Sequence, residues 1–152
     1  MRARAVVLVS LLAAAVSGGC THAGAGAQPA GPGRPAVLVH VTRGKADLHS
    51  ASMGLALARS ALEQGQQVVV FLNVEAAAFA DRALGEDVRF ADFPPIAHLL
   101  KEIVARGGRV FVCRHCASVM KLTPEHVAPG IMLSAHADVL KALPPGVVSF
   151  SY

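Results

Sequence analysis

Cys113 and Cys116 stand three positions apart in Arg109-Val-Phe-Val-Cys-Arg-His-Cys-Ala-Ser-Val-Met-Lys121, where a short apolar run turns into a helix-like pattern. That spacing brings two sulfurs together within one turn. At the joint between a buried strand and a helix start, unpaired backbone N–H groups and the helix dipole favour an anion such as a thiolate. Arg114, and His115 in its protonated form, lie between the two thiols and would add positive charge where such an anion would form. Dithiol redox exchange, covalent haem attachment, soft-metal ligation and an inert structural disulfide all draw on this pattern.

Each chemistry has a further requirement. A thioredoxin-like motif is C-x-x-C leading into a helix, which is present, but here it follows the third strand and lacks an evident cis-Pro segment downstream. Covalent haem attachment needs His directly after the second Cys, and that residue is Ala117. Cys113, Cys116 and His115, with Met120, His126 or His136 nearby, supply ligand types for copper or zinc. A lone C-x-x-C is half a zinc site, and no second half of comparable spacing follows. Gly44-Lys45 is not a phosphate loop, because Ala46 follows the lysine and the upstream glycine is missing. No motif calls for a cofactor.

The elements that position the thiols read as alternating strands and helices. Val37 to Val41 and Gln67 to Leu72 are near-continuous β-branched runs, as in strands covered on both faces, and Arg109 to Val112 is the third such run. His40 reads as a hydrogen-bonded core residue. Ser50 is the expected N-cap of an Ala-rich helix reaching about Gln64, stopped by Gly65. Asn73 and Glu75 follow the second strand and open a short helix with Phe79 inward. After Asp92-Phe-Pro-Pro95, the prolines expected in a first turn, Ile96, Leu99, Leu100, Ile103 and Val104 form one buried stripe, with His98 on the opposite side. Ala117 to Leu122 reads as a short helix and Thr123-Pro124-Glu125 as another helical turn. Ile131 to Leu133 reads as an inner strand, Ser134 as the cap of a helix through Leu143, and Val147 to Phe150 as the last strand. Five strands alternating with helices predict an α/β three-layer sandwich with a five-stranded, mainly parallel sheet flanked by helices. Ligands of such sheets gather outside the carboxyl ends of the strands, where Cys113 falls.

Residues 1–19 read as a signal peptide: a basic start with Arg2 and Arg4, an apolar stretch from Ala5 to Val16, then small residues. Val16-Ser-Gly-Gly-Cys20 matches a lipobox in outline, so Cys20 is the expected lipidation site and membrane anchor. Residues 20–35 are an Ala/Gly/Pro tether too poor in large apolar groups to form a core, with His22 solvated, and 36–152 form the domain. The expected location is exported, on the periplasmic or cell-surface side of a bacterial membrane. Loss of Arg2 and Arg4 from 14 Lys and Arg, against ten acids, lowers the net charge from +4 to +2. With that balance, no Trp and one Tyr, nucleic-acid binding is set aside.

The VLVHVT and QVVVFLN strands, the LLKEIVARG helix before VFVC, the LTPEHVAPGIMLSAHADVLKAL segment and the terminal VVSF together resemble the DsrE/DsrF-like family of small sulfur-handling proteins. The resemblance implies a compact α/β fold assembled as a homo-trimer or hexamer. It also implies a persulfide-carrying, sulfurtransferase-like Cys at the position of Cys113, served by a sulfur donor or acceptor protein or a small sulfane-sulfur compound. Cys116 matches an additional Cys of some relatives, and Met120-Lys121 replaces an Arg-Gly of many.

Overall fold

The β-branched runs become strands in a computed structural model that describes residues 35–152. The expected signal over 1–19, Cys20, His22 and the tether as far as residue 34 lie outside the described residues. The strands are β1 (Val37–Val41), β2 (Val68–Leu72), β3 (Arg109–Cys113), β4 (Ile131–Ser134) and β5 (Val148–Ser151). They form one sheet in the order β4-β3-β2-β1-β5, with every pairing parallel. The helices are α1 (Leu48–Glu63), α2 (Ile96–Ala105), α3 (Arg114–Val119) and α4 (His136–Ala142), with 3-10 segments at Lys45–Asp47 and Val74–Ala80.

Alternation along the strands divides the core in two. Val39, Val70, Val110 and Val112 face a layer built from α1, α2 and the Val74–Ala80 segment, where Leu55, Phe79, Ile96, Leu99 and Ile103 are fully buried. Each such side chain contributes about 1.5–3 kcal/mol of transfer free energy. On the opposite face Val69, Phe71, Phe111 and Cys113 pack against Val139 of α4. β2 is buried along its whole length, whereas β1 alternates between buried and half-buried positions.

The chain lays down β1 to β4 side by side in one direction, then returns across the sheet to add β5 beside β1. α3, which follows β3, sends Ala117 into the larger core, while α4, which follows β4, packs on the other face. Neighbouring strands β3 and β4 thus send their outgoing chains to opposite faces. That divergence opens a crevice at their carboxyl ends, the place where α/β sheets bind ligands.

Several local expectations are corrected. Asp47, not Ser50, caps α1: its carboxylate accepts the Ser50 N–H at 3.1 Å and the Ser50 hydroxyl at 2.8 Å. Ser134 ends β4 and bonds Met132 O, leaving Ala135 as the N-cap of α4. β4 is an edge strand, because the return to β5 leaves nothing beyond it. α3 starts three residues before Ala117, and the two prolines precede α2, with Pro95 at its N-cap. His40 is half-buried and stacks on Phe71 with ring centroids 5.5 Å apart, but its Nε2 has no hydrogen-bond partner.

Candidate functional site

Cys113 is the last residue of β3 and the N-cap position of α3, and in sheet register it lies opposite Ser134 of β4. Phe111 and Cys113 alternate onto the α4 face, so the Cys113 sulfur enters the crevice from below and only 4% of the residue is exposed. Cys116, in the first turn of α3, is half-buried and packs against both cores. Both cysteines are free thiols, and the Cys113 sulfur lies near enough to Cys116 to act on its thiol.

Two groups that do not belong to the C-x-x-C stretch touch these sulfurs. The backbone N–H of Val74 donates to Cys116 Sγ at 3.2 Å. This sulfur therefore meets a backbone amide from the first residue of the 3-10 segment that follows β2. Val74 holds this position with φ of 50°, a left-handed conformation that a β-branched residue adopts only under strain, and its side chain is left exposed. His136 Nε2, at the start of α4, lies 3.8 Å from Cys113 Sγ, with its ring edge-on to Phe71 at 5.8 Å.

Burial, and after it the adjacent Cys113 sulfur, push the Cys116 thiol above its ordinary range, and the Val74 N–H only partly opposes them. Cys116 is consequently a thiol at neutral pH, able to donate its S–H to Cys113. An open pocket of about 420 Å³ is lined by Cys113, Arg114, His115, Ser118, Ser134 and His136. Arg114 and His115 are exposed at its mouth.

The other candidates fall elsewhere. Among the described residues no group of three or more His, Cys, Asp and Glu is placed to hold a metal ion, so Cys113, Cys116 and His115 are not assembled as a ligand set. Met120 packs against the larger core, and His126 is engaged by the Thr123 N–H and hydroxyl. Asn73 caps the Val74–Ala80 segment without a side-chain bond, and Glu75 Oε2 accepts the Gly44 N–H at 3.4 Å, tying together the loops after β1 and β2. Sequence reasoning considered His136 only as a metal ligand and missed Ser118, Ser134 and the Val74 amide. The fourth and third strands' adjacency would have pointed to Ser134 and His136, but strand order is not written in any local motif.

No curated protein matches the chain by sequence. Among solved structures, the ychN protein from E. coli superposes with a TM-score of 0.65 at 16% identity, covering 77% of this chain and all of that one, which establishes a shared fold. The sequence signature of the DsrE/DsrF-like family matches residues 36–146, from the first residue before β1 to the turn before β5. The chain therefore belongs to the DsrE/DsrF-like family.

Proposed function

We propose that the domain carries sulfane sulfur, with Cys113 as the carrier and Cys116 as its partner. The observation that supports it is the placement of Cys113 at the floor of an open pocket, with a second free thiol, Cys116, one helical turn away. A Cys113 thiolate attacks the terminal sulfur of a donor persulfide, forming Cys113–S–S⁻ and releasing the donor as a thiol. Cys116 donates its S–H to the anionic sulfur before and after transfer. An acceptor thiolate then takes the outer sulfur and returns Cys113 to its starting state. Attack by Cys116 on the inner sulfur instead expels HS⁻ and closes the internal disulfide.

Intact mass of the reduced chain after incubation with cysteine persulfide tests this. The expected result is a gain of one sulfur atom, absent in Cys113→Ser and longer-lived in Cys116→Ser, because that variant cannot close the disulfide. Wild-type protein that gains no sulfur would exclude a carrier.

Two parts of the proposal rest on sequence: lipidation of Cys20 on the outer side of a membrane, and assembly as a trimer or hexamer. The lipobox-like Val16–Cys20 stretch supports the first and the family resemblance the second. Palmitate incorporation in a bacterial host that persists in Cys20→Ala would sink the first, and light scattering at the mass of a single chain the second.

A further inference from the structure

The pocket beside Cys113 has a charge character that two thiols alone do not require. Its lining combines Arg114, His115 and His136 with the hydroxyls of Ser118 and Ser134, and includes no carboxylate. Asp138, the nearest acid along α4, lies outside it and accepts the Ala135 N–H at 3.1 Å. The nucleophile and the polar groups around it also sit at different depths: Cys113 is buried, whereas Arg114, His115, Ser118 and His136 are exposed. An incoming molecule meets the positive charge and hydroxyl donors before its reacting atom reaches sulfur.

From this gradient we infer that the donor for this site is a small sulfur oxyanion with a terminal sulfane atom, the thiosulfate class, in preference to a zwitterionic organic persulfide. The inference rests on the carrier function proposed above and names its substrate. Thiosulfate enters sulfane end first, leaving its oxygens at the mouth among Arg114, His115 and the Ser118 hydroxyl. The planar guanidinium fork of Arg114 suits paired oxyanion oxygens, and hydroxyls complete the set. The Cys113 thiolate attacks the outer sulfur and forms a new S–S bond. The S–S bond of thiosulfate breaks, and its electron pair leaves on sulfite. One thiolate and one dianion become one persulfide anion and one sulfite dianion, so charge balances and no outside oxidant or reductant is needed. Negative charge growing on the departing sulfite is met by the Arg114 guanidinium already in place.

The test compares the two donors on the reduced full chain, reading persulfide by intact mass and sulfite by a colorimetric assay. Wild-type protein should take sulfur from thiosulfate and release one sulfite per persulfide formed. In Arg114→Gln/His115→Gln, whose altered side chains are exposed, the thiosulfate rate should fall at least about tenfold more than the cysteine persulfide rate, equivalent to losing one hydrogen bond to a charged group. Loading from cysteine persulfide but not from thiosulfate would overturn the inference and leave the carrier function standing. An equal fall for both donors would also overturn it, because the cations would then act on Cys113 and not on the oxyanion. Failure of both donors on wild-type protein would remove the carrier function itself, and the inference with it.

Discussion

One face of the sheet is sealed by the 16-residue α1, the 10-residue α2 and a 3-10 segment, while among the described residues the other carries only the seven-residue α4. The first face holds nearly all of the fully buried large side chains. On the second, β1 presents only half-buried Leu38 and His40, the latter with an unpaired ring nitrogen. Stability is thus concentrated on one side of the sheet, and the Cys113 sulfur belongs to the other. Cys113 lies where the covering layer changes sides, on a fully paired strand but beside a thin layer, an arrangement that would hold the proposed carrier fixed and still reachable.

The contrast breaks most readily through core truncation. Leu99→Ala on the sealed face should lose about 3 kcal/mol in urea unfolding, within the range for buried leucines, whereas Val139→Ala under α4 should lose about half that. Equal losses would mean that the faces do not differ. Val74→Gly should move stability the other way, by about 1 kcal/mol, because glycine adopts φ of 50° freely and the lost side chain is 55% exposed. A lower melting temperature would show that the left-handed turn is not strained.

A subtler difference lies in pH dependence. The Cys116 thiol is raised in the folded state, first by burial and then by Cys113, so the folded chain holds this proton more tightly than the unfolded chain does. That stabilisation is complete below the ordinary thiol range, near about 8.5, and is lost as pH rises through the higher folded value. Urea midpoints should fall over that alkaline interval in wild-type protein and flatten in Cys116→Ser, and an unchanged slope would contradict the assignment. The smallest effect belongs to the outer surface of the sealed layer. Arg106 lies 3.7 Å from Glu63 with both side chains well exposed, so Arg106→Ala should change stability by less than about 0.5 kcal/mol in thermal unfolding.

Strands and the α2 stripe were legible in the sequence because burial imposes a period on residue type, and Ile96, Leu99, Leu100 and Ile103 proved buried, while Val104 at the end of the stripe is half-buried. The Cys113 strand end was legible for the same reason. Polar Arg114 and His115 at the start of α3 obscured its first turn, since short helices carry too few apolar positions to show a period. The Val74 amide could not have been read at all: a backbone donor 42 residues from its sulfur leaves no mark on composition. His136 was visible as a residue but not as the neighbour of Cys113, because that contact depends on β4 joining the sheet beside β3.

Arg114 separates the two cysteines, so trypsin places Cys113 in the 110–114 peptide and Cys116 in the 115–121 peptide. Persulfide formed on the reduced chain, capped by alkylation and mapped on those two fragments, identifies the carrying sulfur directly. The added sulfur should appear on the 110–114 fragment. Its appearance on the 115–121 fragment, with the Cys113 peptide unmodified, would contradict Cys113 as the carrier.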